Sequence, residues 1–159
     1  MSRATALLQE ADESMKSGDW DRAIETLQTL KGEEDRPTSV YSKLAQAFAV
    51  RGRYLTVLSI YLEWATEALD QNLLDQAERA LEYALALDPE SLEAHDLDIR
   101  LARARGRQEV LSGKLQELAF LLLEKGDAER PITLLKEAAE LEAPPETPDF
   151  QAAVPRSPN

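Results

Sequence analysis

Apolar residues recur at helical spacing along most of this chain. In the segment 73 to 89, LLDQAERALEYALALDP, the residues Leu74, Ala77, Leu81 and Ala84 follow one another at intervals of three and four. Such spacing places side chains on one face of an α-helix. Alanine is small enough to let another helix approach closely, so this face is predicted to pack against neighbouring helices.

The same pattern predicts eight helices joined by short turns. Two of them, at residues 53 to 70 and 107 to 125, are apolar on nearly every face. Helices of this kind are covered on more than one side, and the first of the two is predicted to form the centre of the core. The eight predicted segments are residues 2 to 17, 20 to 31, 37 to 52, 53 to 70, 73 to 89, 89 to 105, 107 to 125 and 127 to 141.

Two local features refine these helices. Asp88, which precedes a proline, is predicted to end the fifth helix and to cap the sixth. Gly113 lies inside the seventh helix, where a glycine lowers helix stability by about 1 kcal/mol relative to alanine. A glycine kept at such a position is typical of close helix packing, so we expect a neighbouring helix to approach there.

Two spacings indicate an internal repeat. Gly18 and Gly52 are 34 residues apart, as are Asn72 and Gly106, and this is the length of a two-helix tetratricopeptide unit. The sequence RGR occurs at 51 to 53 and again at 105 to 107, 54 residues later, which would fit three-helix units. The sequence leaves both arrangements open.

Residues 4 to 142 resemble the tetratricopeptide repeat (TPR) family. The motif LAQAF at 44 to 48, the motif RGRY at 51 to 54, and the small residues and proline of the segment 73 to 89 are similar to the family's small-residue, turn and terminal-proline signature. This resemblance implies an all-α fold, a right-handed α-solenoid of about eight antiparallel helices. Residues 1 to 142 would form the TPR-like helical repeat domain.

The last segment of the chain has a different composition. Residues 143 to 159, APPETPDFQAAVPRSPN, contain five of the chain's eight prolines. A stretch of this kind has too few apolar residues to form a packed core. It is predicted to be a proline-rich flexible tail or linker.

Composition narrows the classes of function. The chain has no cysteine, which excludes disulfides and thiolate chemistry, and one histidine, which argues against a nitrogen-rich metal site. Its net charge of -12 argues against nucleic acid as the main partner. No apolar run reaches the roughly 18 residues that span a bilayer, and the N-terminus lacks the apolar segment of a secretory signal. The sequence therefore predicts an acidic cytoplasmic protein with no cofactor.

Three groups of residues have the composition of possible sites of chemistry. His95 near Asp96 and Asp98 is typical of a partly exposed helix histidine rather than of a metal site. The carboxylates of Glu63, Glu67 and Asp70 share a helix face, where a solvated surface is the expected role. The glycines at 106 and 113 lack the spacing and the preceding strand of a phosphate loop. The chain is predicted not to be an enzyme.

Two short basic islands stand out from this acidic chain, with net charges of +4 over residues 36 to 53 and +4 over 100 to 114. Cations of this kind either complement a helix C-terminus or recognise an acidic partner segment. In three-helix units the islands would share one side of the solenoid, whereas in alternating helices they would lie in opposite layers. The candidate partner-binding residues are Lys43, Arg51 and Arg53 in the first basic island and Arg100, Arg103 and Arg107 in the second.

The predicted function is that of a scaffold or adaptor that binds a partner protein or peptide through a helical-repeat surface. The carboxylate clamp known in the TPR family, built from lysine and asparagine, is not matched, because the third helix carries Ser42, Gln46 and Ala49 on that face. Two alternatives stay open. One is a secretion or assembly chaperone that shields an apolar partner segment, which requires an exposed apolar groove. The other is a structural homodimerisation domain that uses the apolar seventh helix.

Overall fold

The computed structural model describes residues 1–144, which form eight α-helices and contain no strand. This confirms the predicted all-α class and is consistent with a TPR-like helical repeat. The ends of the helices agree with the predicted segments to within three residues. No helix within this part of the chain has the length and apolar character needed to cross a membrane. The helices are α1 (Arg3–Ser17), α2 (Trp20–Lys31), α3 (Ser39–Val50), α4 (Tyr54–Asp70), α5 (Leu74–Leu87), α6 (Leu92–Arg105), α7 (Gln108–Glu124) and α8 (Arg130–Glu142).

The chain divides into two compact units, one ending at Gly106 and one beginning at Arg107. In the first unit each helix packs against the next helix in the chain, and α4 also packs against α6. In the second unit α7 and α8 form a helical hairpin. A single repeat domain over residues 1 to 142 stays a prediction. The proline-rich tail lies, from residue 145 onward, outside the described residues.

Helix α4 occupies the centre of the first unit. It contacts α3, α5 and α6, and its residues Val57, Trp64 and Ala65 are buried. The prediction that α4 forms the centre of the core is confirmed. The first turn of the helix is different, because Tyr54 is 62% exposed and Leu55 is 86% exposed. Large apolar side chains therefore reach the surface where α4 begins.

The apolar stripe of α5 packs as its spacing predicts. Ala77, Leu81 and Ala84 are buried, and Leu74 is half-buried. The two alanines are completely inaccessible to solvent. This confirms that neighbouring helices approach the alanine face of α5 closely.

Two of the local predictions are wrong. Ser91 caps α6, since its Oγ accepts a hydrogen bond from the backbone N–H of Ala94 at 3.2 Å. Asp88 ends α5 as predicted, but its carboxylate accepts from the N–H of Glu90 at 3.1 Å and does not cap α6, because that helix begins only at Leu92. Gly113 lies on the exposed face of α7, and no described neighbour comes within 4 Å of the place where a Cβ would be.

Ion pairs reveal how the helices of the first unit alternate. The Nζ of Lys43 on α3 lies 2.6 Å from Oδ1 of Asp12 on α1, and the Nζ of Lys31 on α2 lies 2.7 Å from Oε1 of Glu63 on α4. Together with the packing of α4 on α6, these pairs place α1 beside α3, and α2, α4 and α6 side by side. Residues 1–106 are therefore built from two-helix units, and α3 and α6 lie in opposite layers.

Candidate functional site

In the first basic island, two of the three cations are paired with acids of preceding helices. Lys43 pairs with Asp12, as described above, and the Nε of Arg51 lies 3.2 Å from Oδ1 of Asp21 at the start of α2. Arg53 is exposed and forms no ion pair with any residue of 1–144. It is thus the cation of this island whose charge is free to meet a partner.

The second basic island is also engaged in the fold. Arg100 forms an ion pair with Asp70 at the end of α4, and Arg103 has interactions of its own. Arg107 is exposed and belongs to the second unit. The most enclosed cation is Arg105, which the sequence prediction did not include. Its guanidinium lies 2.7 Å from Glu78, and this hydrogen bond raises the pKa of the guanidinium further above its already high value.

Arg53 and Arg100, one cation from each island, lie at opposite ends of α4. Arg100 lies beside Asp70, the last residue of α4, whereas Arg53 precedes the first residue of α4. An α-helix rises 1.5 Å per residue, so the 17 residues of α4 separate these positions by about 25 Å. These two arginines therefore lie far apart within the first unit. Whether either island binds a partner stays a prediction.

Four aromatic side chains form a continuous row across α3, α4 and α5. The rings of Tyr41 and Trp64 are stacked, with centroids 6.1 Å apart and planes 5° apart. The ring of Tyr61 lies 6.5 Å from that of Trp64 and 5.1 Å from that of Tyr83. Tyr41 and Trp64 are buried, Tyr61 is half-buried, and Tyr83 is 49% exposed. The row thus leads from the core to the surface.

At its outer end this row joins an exposed apolar surface. Leu87 lies one turn beyond Tyr83 on the same face of α5 and is 42% exposed. Leu58 and Tyr54 precede Tyr61 on one face of α4, at intervals of three and four residues. Because α4 and α5 are antiparallel neighbours, the first half of α4 lies beside the second half of α5. The α4–α5 apolar surface consists of Tyr54, Leu58, Tyr61, Tyr83 and Leu87.

The sequence prediction missed this surface. Its signal was present, since Tyr83 and Leu87 are large apolar residues four positions apart that lie outside the core stripe of α5. The core stripe of α5 accounts for the burial of this helix by itself, so the pattern assigns no role to Tyr83 and Leu87.

At the inner end of the row lies a cavity of about 120 Å³, lined by residues of the α2–α3 turn, of α4 and of the start of α5. The carboxylate of Glu67 organises its wall, because it accepts hydrogen bonds from the guanidinium of Arg36, from the hydroxyl of Tyr41 and from Nε2 of Gln71 at 3.0 Å. Burial of the phenol raises the pKa of Tyr41 well above its usual range, and the hydrogen bond to Glu67 adds to this effect.

We expect this tyrosine to make the fold sensitive to alkali. In the unfolded chain a tyrosine ionises near pH 10, while Tyr41 in the folded chain holds its proton to a higher pH. Its contribution to stability is therefore complete below about pH 10 and is lost as the pH rises toward the folded pKa. The loss amounts to about 1.4 kcal/mol per pH unit for one proton.

The measurement is chemical denaturation between pH 9 and 11.5 of the wild-type protein and of the Tyr41→Phe variant. The wild-type protein is expected to lose stability more steeply with pH than Tyr41→Phe. Tyr54→Phe, which alters a mostly exposed ring, serves as the control and is expected to follow the wild-type slope. Equal slopes for wild type and Tyr41→Phe would contradict the assignment.

The remaining candidate groups take part in local structure. A ring nitrogen of His95, Nε2, lies 2.8 Å from the carbonyl oxygen of Pro89, to which it donates. Among residues 1–144 no group of three or more acids or histidines is placed to hold a metal ion. The carboxylates of Glu63, Glu67 and Asp70 form ion pairs with basic residues from other parts of the first unit, so they are more than a solvated face.

No protein-family model matches the chain, and no curated protein sequence matches it. Among solved structures, the chain is similar to MamA 41-end from Desulfovibrio magneticus RS-1, at 15% identity and a TM-score of 0.37, over 89% of this chain and 96% of that one. A second structure described as MamA protein is 16% identical with a TM-score of 0.35, over 87% and 91% of the two chains. Similarity at this level defines neither a family nor a function for the chain.

Proposed function

We propose that this protein is a scaffold or adaptor, without catalytic activity, that binds a partner protein or peptide through the α4–α5 apolar surface. The observation that carries the proposal is the exposure of Tyr54 on α4 and of Tyr83 and Leu87 on the neighbouring helix α5, in a chain with a net charge of -12. Tyrosine is enriched among the residues that dominate protein-protein binding energy. Contiguous exposed apolar residues are also typical of interaction sites.

The charges around this surface define the partner further. Arg53 immediately precedes Tyr54 and has no ion pair within the described residues. An acidic residue of the partner would find this guanidinium at the edge of the apolar contact, where a charge affects the association rate and the choice of partner. The expected partner segment is therefore apolar in its centre, with an acidic residue at the end that meets Arg53.

Both alternative functions keep some structural support. A chaperone that shields an apolar segment would use the same α4–α5 apolar surface, but it would accept many apolar sequences rather than a defined motif. A homodimerisation domain would use α7, on which Val110, Phe120 and Leu123 are exposed. A molecular mass that rises with concentration, and that returns to the monomer value in the Phe120→Ser variant, would favour the homodimer.

The test of the scaffold function is selection of binding peptides from a displayed random library, followed by affinity measurement on variants. The double substitution Tyr83→Ser and Leu87→Ser is expected to weaken the selected peptides by about tenfold or more, because it removes the centre of the apolar contact. The control is Glu82→Ser with Ala86→Ser, at the same spacing on an adjacent exposed face of α5.

Circular dichroism of both double variants should match that of the wild type, since all four positions are exposed. Peptides that bind both double variants as tightly as the wild type would show that the contact lies elsewhere and would overturn the proposal. Selection of apolar peptides without any shared motif would favour the chaperone alternative.

A further inference from the structure

The cavity beside Trp64 is a candidate binding site. It lies at the inner end of the aromatic row that reaches the α4–α5 apolar surface. Its volume is about 120 Å³. This is enough room for the end of a long side chain. Trp64 and Tyr41 contribute aromatic walls, and the α2–α3 turn contributes the rim.

The strongest hydrogen-bond donors around the cavity are already used. The indole Nε1 of Trp64 donates to Oε1 of Gln76 at 3.4 Å, and the hydroxyl of Tyr41 donates to Glu67. The guanidinium of Arg36 donates to the same carboxylate and to the backbone carbonyl of Glu33, at 3.1 Å in the second case. An anion entering the cavity would compete with these acceptors.

The charge that stays available is negative. Glu34 lines the cavity, is exposed, and forms no ion pair with residues 1–144. The positive charge of Arg36 is balanced by Glu67, so Glu34 sets the net charge of the lining at -1. The side-chain oxygen of Gln71 adds an acceptor that no hydrogen bond within the described residues engages, since its amide contact is made through Nε2.

We propose that this cavity is an anchor site for a basic side chain of the partner, whose ammonium or guanidinium group meets Glu34 and Gln71 while its methylene groups contact Trp64. The inference rests on the proposed function, because it assigns the chemistry of one residue in the partner segment. Acceptors and a free carboxylate suit a group that carries only donors.

The direct test uses n-butylammonium, which reproduces the end of a lysine side chain, and butyrate as its counterpart of opposite charge. Each is titrated into the whole protein at constant ionic strength, while the indole N–H signals of Trp64 and Trp20 are followed by NMR. Butylammonium is expected to shift the Trp64 signal in a saturable manner, and butyrate is not. The Trp20 signal should stay in place, since Trp20 does not line the cavity.

Two substitutions at neighbouring residues distinguish binding in the cavity from a general effect of the protein's negative charge. Glu34→Gln is expected to weaken butylammonium binding by about two- to fivefold, the range of a partly exposed ion pair. Asp35→Asn removes the same charge one residue away, outside the lining, and is expected to leave binding unchanged. Equal shifts of Trp64 with butyrate and butylammonium, no shift with either, or equal effects of the two variants would overturn the anchor site.

The peptides selected for the proposed function distinguish the two inferences. If the anchor site is correct, replacing one lysine of such a peptide with norleucine weakens binding to the wild type but not to Glu34→Gln. Peptides that depend on Tyr83 but lose nothing with norleucine would refute the anchor site and leave the scaffold function standing. A saturable butylammonium shift without any Tyr83-dependent peptide would refute the scaffold function alone.

Discussion

Replacement of Trp64 by alanine is expected to lower the free energy of unfolding by about 3 to 5 kcal/mol. The side chain is 6% exposed, stacks on the ring of Tyr41 and lies beside the ring of Tyr61. Alanine would remove these contacts, leave a cavity between α3, α4 and α5, and deprive Gln76 of a hydrogen-bond donor. The measurement is urea denaturation followed by circular dichroism.

The protein supplies its own control in Trp20, which is half-buried at the start of α2. Trp20→Ala removes the same number of atoms from a less enclosed position and is expected to have a smaller effect. Trp64→Phe keeps a ring in the row and should fall between the alanine variant and the wild type. A Trp64→Ala variant as stable as Trp20→Ala would show that α4 is not the centre of the core.

The parts of the fold that follow from the sequence are those set by neighbours three or four residues apart. The stripe of α5 and the apolar circumference of α4 are local patterns, and the burial of Ala77, Ala84 and Trp64 agrees with them. The interpretation of Gly113 failed for a related reason. The sequence pattern shows that Gly113 lies inside a helix, but it does not show which face of α7 is turned to the solvent. Gly113 lies on the exposed face.

The contacts of the arginines depend on residues far away in the sequence. Arg51 pairs with Asp21 and Arg100 pairs with Asp70, in both cases across 30 residues. This separation is close to the length of one two-helix unit, which brings a residue next to its counterpart in the preceding unit. The basic islands stood out because they contain few acids, yet the acids that balance them come from other helices. Charge counted along the chain could not reveal this.

These ion pairs also explain why the candidate site consists of apolar and aromatic side chains and not of the cations predicted from the sequence. A cation held by a carboxylate has less free charge to offer a partner, and exposed ion pairs contribute little to stability, about 0 to 1 kcal/mol each. Large apolar side chains such as Tyr83 and Leu87, in contrast, stay exposed at the surface. Their exposure depends on the angle at which α5 meets α4, which no single-helix pattern contains.

Substitution of Ala84 by leucine is expected to lower the free energy of unfolding by about 1 to 3 kcal/mol. Ala84 is completely buried on the face of α5 that packs against neighbouring helices, so the larger side chain must push a helix away or adopt a strained rotamer. Ala86→Leu is the matched control, since Ala86 is exposed on the same helix and the same atoms are added. Its effect should stay within about 0.5 kcal/mol. The measurement is urea denaturation of both variants. Equal stability of Ala84→Leu and Ala86→Leu would mean that helix α5 is not closely packed along its alanine face.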